Sequence, residues 1–160
     1  MAVDMFLKID SIKGESQDKS HPEEIDILAW SWGGSQSGTG HAGGGSGAGK
    51  VNVQDLSVTK YVDGASCALF QAMCKGTHIK EANLVVRKAG DKPLEYIKLK
   101  MWDILVSSQS TGGSGGEDRL TENVTLNFTK FKMEYFKQDE KGAGKPAGEI
   151  GWDIAANTTA

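Results

Sequence analysis

The chain has few cysteines, prolines and histidines and no long apolar run, and each shortage excludes a class of protein. Two cysteines and three prolines in 160 residues exclude a disulfide-rich scaffold and a proline-rich linker protein. No stretch approaches the roughly 18 apolar residues that a membrane-spanning helix needs, so we expect no membrane insertion. Lysine and arginine total 18 against 21 acidic residues, a net charge of -3, which provides no basic surface for nucleic acid.

The N-terminal segment also lacks the features of an export leader. Residues 1–10 mix apolar and charged side chains, without an apolar core or a small-residue cleavage site. We therefore expect the chain to fold in the cytoplasm and to leave, if it does, by a route that accepts folded protein without a cleaved signal.

Alternation of period two dominates the sequence and predicts antiparallel strands. In residues 24–32 the odd positions form one face, on which Ser31 is a polar break after Ile25, Ile27 and Ala29. Other strands are predicted at 51–62 with a bulge near Gln54 or Asp55, at 82–88 and 94–106 as a hairpin, at 120–137 with a bend near Thr129 or Lys130, and at 149–154.

One helix interrupts the strands, at about residues 64–75, and Gly76 is placed to end it. Its apolar stripe comprises Ala65, Ala68, Leu69, Ala72 and Met73. Helical spacing puts the Cα atoms of Cys67 and Cys74 about 10.5 Å apart, too far for a disulfide, so we expect free thiols. For these two cysteines and Phe70 we expect a packing role.

Two glycine-rich loops, 33–49 and 111–116, separate these elements within a single domain that spans residues 1–160. Residues 44–50 fit the phosphate-loop spacing G-x-x-x-x-G-K, but Val51 stands where that loop needs Ser or Thr, and a strand pattern follows instead of a helix. A nucleotide hydrolase therefore stays only as a rival interpretation, which ATP or GTP binding abolished by Lys50→Ala would support.

Histidines and carboxylates show no catalytic or metal-binding arrangement in the sequence. The three histidines, His21, His41 and His78, lie far apart and lack the spacing of metal ligands, so we expect surface histidines. We identify no catalytic residue, cofactor site or metal site.

Five segments spread over the chain have the pattern of one known family. They are MAVDMFLKI at 1–9, EIDILAWSWG at 24–33, GKVNVQDLS at 49–57, STGGSGGEDRLTENVTLNF at 110–128 and GWDI at 151–154. In these segments the chain resembles the haemolysin-coregulated proteins, the Hcp family of bacterial type VI secretion. The resemblance implies a mainly β fold, a two-sheet antiparallel β-barrel with one flanking α-helix, assembling as a hexameric ring.

The same resemblance implies a structural protein without enzymatic activity or cofactors. Rings would stack into the inner tube of the secretion machine, which is ejected and carries or chaperones effector proteins in its lumen. The implied partners are further copies of the chain, secreted effectors, and the tube tip and sheath components. The implied location is the cytoplasm until secretion, outside the cell or into a target cell.

Particular residues acquire roles from this resemblance. Ser31 and Trp30 are expected to line the lumen and bind effectors. Ring-stacking or subunit contacts are expected at His41, Lys50, Gln54, Glu117, Asp118 and Arg119.

A function of another class stays open from the sequence alone. The chain could be a monomeric or dimeric β-rich module that binds carbohydrate or peptide, with Trp30, Trp32, Trp102 and Trp152 as ligand platforms. Solution mass separates the two interpretations, because a ring of about six copies has about six times the 17.1 kDa of one chain.

Overall fold

The computed structural model describes residues 3–38, 49–90 and 92–160, which form strands throughout and one helix. The strands are β1 (Val3–Ile9), β2 (Ile25–Ser31), β3 (Gly34–Ser35), β4 (Asn52–Val53), β5 (Leu56–Tyr61), β6 (Ile79–Lys88), β7 (Leu94–Thr111), β8 (Thr121–Asn127), β9 (Lys130–Gln138), β10 (Gly144–Asp153) and β11 (Thr158–Thr159). The helix α1 (Ser66–Lys75) lies between β5 and β6.

Strand β7 closes the barrel because its two halves belong to different sheets. Its first half pairs with β6 and β9, and its second half pairs with β8. The closed order is β7-β6-β1-β2-β5-β8, all antiparallel, and β9, β10 and β11 extend from β7. Asp103, at φ 54°, marks the change of sheet in a conformation that Asp tolerates better than most residues. The predicted antiparallel β-barrel with one helix is confirmed.

Inward-facing residues of the barrel and one stripe of α1 make a continuous core. Ala65 and Leu69 are fully buried and Ala72 is nearly so, as the helical spacing predicts, and Gly76 ends the helix at φ 61°. The helix begins at Ser66, two residues later than predicted. Residues 3–38, 49–90 and 92–160 contain no helix that is long and apolar enough to cross a membrane.

Two predicted phase changes correspond to breaks between strands. The segment 51–62 divides into β4 and β5 at Gln54 and Asp55, and the segment 120–137 divides into β8 and β9 at Phe128 and Thr129. The first glycine-rich loop, predicted at 33–49, is not entirely irregular. The short strand β3 lies near its start and pairs with β4, which follows the loop.

The predicted face of β2 is wrong beyond Ile27. A bulge between Ile27 and Ala29 shifts the register against β5 by one residue. Ile25 and Ile27 are buried, but Trp30 follows them on the inner side while Ala29 and Ser31 point outward. Ser31 therefore does not share the face of Ile25 and Ile27.

Two further expectations about side-chain burial are corrected. Cys67, Phe70 and Cys74 lie on the exposed side of α1, with Phe70 48% exposed, so they do not pack against the barrel; both cysteines are free thiols, as predicted. His21 is not a surface residue: it is 8% exposed, stacked on Phe6 at 4.4 Å between ring centroids.

His21 is held by carboxylates from two elements. Its Nδ1 lies 2.9 Å from Glu24 and its Nε2 2.6 Å from Glu95 of β7. The loop that carries His21 passes very close to the backbone at the start of β2. A Cβ added at Gly14 would lie 2.5 Å from the Glu24 carbonyl oxygen, so only glycine fits at this position. These contacts tie the loop between β1 and β2 to the barrel.

Candidate functional site

The outward side of the sheet β2-β5-β8-β7 carries an uncharged polar surface, which we call the hydroxyl face. Cross-strand partners lie on the same side of a sheet, so the register defines its rows. One row runs through Ser31, Ser57, Thr125 and Ser108, and the next runs through Ala29, Thr59, Asn123 and Ser110. These eight residues include no titratable side chain, in a chain in which 24% of residues are charged.

Hydrogen bonds between neighbouring strands hold the hydroxyl face together. The Thr59 hydroxyl donates to the Asn123 side-chain oxygen at 2.7 Å. The Thr125 hydroxyl makes hydrogen bonds of 2.7 Å with Ser107 and 2.6 Å with Ser108, where a bulge in β7 brings both serines close. The side chains are thereby oriented while most remain accessible to solvent.

One carboxylate, Asp55, lies at the border of the hydroxyl face. Its oxygens accept hydrogen bonds from the Ser107 hydroxyl at 2.6 Å and from the Asn127 amide at 2.9 Å. Its charge is therefore partly satisfied by groups of the protein itself, and the adjoining face stays free of ionised side chains.

Beneath the hydroxyl face, inside the barrel, lies a buried ion pair. Lys60 of β5 and Glu122 of β8 are 0% and 1% exposed, and Lys60 Nζ lies 2.5 Å from Glu122 Oε1. Lys60 also donates to Asp63 at 2.9 Å. The remaining oxygen of Glu122 accepts hydrogen bonds from Thr111 and Gln109 of β7. The network joins three of the four strands that carry the face.

The same network anchors the start of α1 and fixes the ionisation of its carboxylate. The Ser66 hydroxyl donates to Glu122 at 2.6 Å, and the Gln109 amide donates to the Ser66 carbonyl at 3.0 Å. Burial by itself raises the pKa of Glu122, but the hydrogen bonds from Lys60, Ser66, Thr111 and Gln109 lower it on balance. Glu122 is therefore held as a carboxylate.

The chemistry of the hydroxyl face is that of weak, reversible contact. Hydroxyls and amides offer donors and acceptors without the charge that makes ionic contacts strong and selective. A serine nucleophile would need an adjacent base. The hydrogen bonds of the described residues pair His21 with glutamates and His78 with Asp103, and none joins a histidine to this face. The described residues also contain no group of three or more potential metal ligands.

The remaining predicted contact residues lie at the borders of the barrel. Lys50 and Gln54 flank β4 and are exposed, and Gln54 donates its backbone N–H to the Gly33 carbonyl at 2.8 Å. Lys50 is followed by a strand and not by a helix, which is not the context of a phosphate loop. His41 lies outside the described residues.

The loop between β7 and β8 carries the other predicted contact residues. Glu117, Asp118 and Arg119 are all exposed. The Arg119 guanidinium lies 3.7 Å from the centroid of the Tyr61 ring, so a cation–π contact within the chain already orients it.

The four tryptophans do not share a surface suited to a ligand platform. Trp30, Trp32 and Trp152 pack against the core, and Trp32 meets Phe131 edge-on at 4.9 Å between centroids. Trp102 is half-buried and lies beneath lysine ammonium groups. Trp30 and Ser31, the two predicted lumen residues, point to opposite sides of β2.

Most of the hydroxyl face was missed by sequence reasoning, although a signal was present. Positions 121, 123, 125 and 127 of β8 are Thr, Asn, Thr and Asn, so one face of the strand is polar and uncharged throughout. The Lys60–Glu122 pair gave no such signal, since its members are 62 residues apart.

Comparison with known proteins finds one family along most of the chain. A family model described as "Type VI secretion system effector, Hcp" matches residues 6–135. The protein hcp1 of Pseudomonas aeruginosa is 58% identical over 163 residues, with 100% of both chains covered.

Solved structures agree in fold and in sequence. Hcp1 from Salmonella typhimurium is 37% identical with a TM-score of 0.80, and 100% of both chains is covered. A structure described as a type six secretion system protein is 32% identical with a TM-score of 0.92, covering 99% of this chain and 100% of the other.

Proposed function

The chain belongs to the Hcp family of the type VI secretion system, and from this premise we propose that it is a structural subunit of the secretion tube. Six copies close into a ring, rings stack into the inner tube, and the tube is ejected with effector proteins carried in its lumen. The subunit catalyses no reaction of its own and remains in the cytoplasm until it is secreted.

The observation that carries this proposal is the hydroxyl face, which we assign to the wall of the lumen. A channel that carries different proteins needs a lining that hydrates well and does not hold one cargo by strong ionic pairs. Two complete rows of uncharged side chains across four strands meet that need. Ser31 lies in the first row, whereas Trp30 supports the wall from the core side.

The strand edges of the same sheet support a ring. In the described residues β2 pairs with β1 only at Ile25 and Asp26, so its outer half from Ala29 to Ser31 has one edge without a strand. Beyond Ile104, β7 pairs with β8 and with no other described strand. Open edges are sites of association between chains. Two different edges at opposite sides of one sheet suit a head-to-tail contact, which closes into a ring.

The loops at the borders of the barrel are assigned to contacts between subunits and between rings. Lys50 and Gln54, which follow the first glycine-rich loop, and the charged triplet 117–119 are exposed. By sequence, His41 lies within the first glycine-rich loop, 33–49. Exposed ion pairs are worth about 0.2 to 1 kcal/mol each, so they set register while apolar burial sets affinity. The tube tip and the sheath are the partners beyond the tube itself.

The ring is tested by solution mass together with negative-stain images. We expect a mass about six times that of one chain and annular particles. Compact single particles of monomer or dimer mass would contradict the proposal and favour the ligand-binding module.

The lumen is tested by thiol labelling at Ser31. In a background of Cys67→Ser and Cys74→Ser, the variant Ser31→Cys is compared with Lys145→Cys, an exposed position on β10. We expect a small maleimide to label both positions, and a bulky polyethylene glycol maleimide to label Cys at 31 much more slowly in the ring than in urea. Equal labelling by the bulky reagent at both positions of the intact ring would place Ser31 outside the channel.

A further inference from the structure

The outward side of β7 near its N-terminal half carries a cleft that the proposed function does not use. Lys100 and Lys132 are direct cross-strand partners on β7 and β9, and Trp102 is the partner of Lys130. Together with Glu149 of β10 these residues line an open cavity of about 430 Å³, which we call the lysine cleft.

In the lysine cleft two positively charged side chains, Lys100 and Lys132, lie opposite each other on neighbouring strands. Like charges directly opposite each other on a sheet are destabilising. Lys100 is compensated by Glu81 at 3.4 Å, and Lys132 is compensated by Glu149 at 3.2 Å and Glu134 at 3.5 Å. All these side chains are substantially exposed, so the pairs are exchangeable with an outside carboxylate.

Lys130 has the least compensated charge of the cleft. No carboxylate of the described residues lies within salt-bridge distance of its ammonium, which sits 4.8 Å from the Trp102 ring centroid. Lys100 lies 5.1 Å from the same centroid. Two ammonium groups therefore lie close to the Trp102 ring in the lining of the cavity, with donors left for an incoming acceptor.

We propose that the lysine cleft binds an acidic segment of another protein, with one or two of its carboxylates placed among Lys100, Lys130 and Lys132. Such a carboxylate relieves the opposition of Lys100 and Lys132 and pairs with Lys130, which has no carboxylate partner among residues 3–38, 49–90 and 92–160. The cavity is open to solvent, so side chains of an exposed segment can enter it.

Protein carboxylates fit the cleft better than nucleic acid does. The Trp102 ring already has two ammonium groups within cation–π distance, so it is poorly placed to stack on a base.

The test uses the intact protein and a labelled glutamate-rich peptide as probe, with a glutamine-for-glutamate peptide as its neutral control. Fluorescence anisotropy at low salt measures the affinity. We expect Lys100→Gln, Lys130→Gln and Lys132→Gln each to weaken binding about two- to fivefold, the range of an exposed ion pair. Lys141→Gln, an exposed lysine outside the cleft, is the matched control and should bind like the parent protein.

Several outcomes would overturn the proposal. One is equal binding of the acidic and neutral peptides, and another is equal loss in Lys141→Gln. Tighter binding of a single-stranded oligonucleotide of equal charge would assign the cleft to nucleic acid. A change in solution mass in the Lys130→Gln variant would assign it to a second copy of this chain. Since the ring is measured separately, failure here leaves the tube proposal standing.

Discussion

The two halves of β7 present opposite surfaces to solvent. Beyond its change of sheet, Ser108 and Ser110 belong to the hydroxyl face, where contacts are neutral and weak. Before it, Lys100 and Trp102 belong to the lysine cleft, where ammonium groups stand opposite each other. One strand therefore carries part of the proposed channel wall in one half and part of the proposed acidic-segment site in the other.

The difference extends to what lies beneath each surface. Under the hydroxyl face the charges are inside, in the fully buried Lys60–Glu122 pair. Under the lysine cleft the interior is apolar, with Leu99 and Met101 buried, and the charges are outside. A lysine is thus structural in one half of the barrel and available for binding in the other, and substitutions can separate these roles.

The largest effect is expected from Lys60→Met. The substitution leaves the buried carboxylate of Glu122 without its cation, and breaking a buried pair costs about 3 to 5 kcal/mol of unfolding free energy. Urea unfolding at one fixed protein concentration measures the loss. The exposed Lys100→Met is the matched control and should lose about 1 kcal/mol or less.

A double variant separates lost charge compensation from lost packing. The double variant Lys60→Met with Glu122→Leu has no buried carboxylate at position 122. Its unfolding free energy should therefore be closer to that of the parent protein than the unfolding free energy of Lys60→Met is. If Lys60→Met unfolds no more easily than Lys100→Met, the buried pair does not organise this half of the barrel.

The next effect is a change in acid stability, expected from Arg87→Gln. Arg87 donates to Asp18 at 2.5 Å and to Asp4 at 3.1 Å, and this hydrogen bonding lowers the pKa of Asp18 from 3.8 to about 2. The unfolded chain takes up the proton near 3.8, so the stabilisation is complete above about pH 4 and is lost as the pH falls towards 2.

The variant should therefore have a flatter stability profile between about pH 4 and pH 2, since the pKa of Asp18 then differs less between the folded and unfolded states. Thermal unfolding across this range measures the profile. Lys13→Gln, which breaks an exposed pair with Glu23, should keep the parent's slope. An unchanged slope in Arg87→Gln would show that Asp18 is not the group that titrates.

A smaller effect is expected within the hydroxyl face, from Thr125→Val. Valine keeps the shape of threonine but removes the hydrogen bonds to Ser107 and Ser108, and a hydrogen bond of this kind is worth about 0.5 to 1.5 kcal/mol. Thr121→Val is the control, since Thr121 lies on the same side of β8 and makes no side-chain hydrogen bond to a described residue. Equal losses in the two variants would mean that these bonds do not stabilise the hydroxyl face.

Local patterns were sufficient to predict most of the fold. Apolar alternation located most of the strands, although β1, β3 and β11 were not predicted. The phase changes near Gln54 and Thr129, predicted as a bulge and a bend, mark breaks between strands, because a strand that changes phase must bend, bulge or end. The apolar stripe through Leu69 located the buried side of α1, because apolar residues at helical spacing share one side of the helix.

The errors arose where local pattern was ambiguous or partners were distant. Between Ile27 and Ala29 every residue is apolar, so alternation could not reveal the bulge that turns Ser31 outward. His21 looked solvent-exposed because its partner Glu95 is 74 residues away. The hydroxyl face arises only when four strands align, which no single segment specifies.

The last substitution, Lys100→Thr, places in the lysine cleft the kind of side chain that the hydroxyl face carries. We expect it to change stability least and to contrast the two surfaces most sharply. The variant loses the exposed pair with Glu81 but also the opposition of Lys132, and the two nearly cancel, within about 0.5 kcal/mol. Binding of the glutamate-rich peptide should nevertheless fall, because Lys100 is one of the three ammonium groups that receive a carboxylate. Urea unfolding and fluorescence anisotropy on the same sample measure both quantities. A loss of stability without a loss of binding would show that the lysines of the cleft, like Lys60, serve the fold.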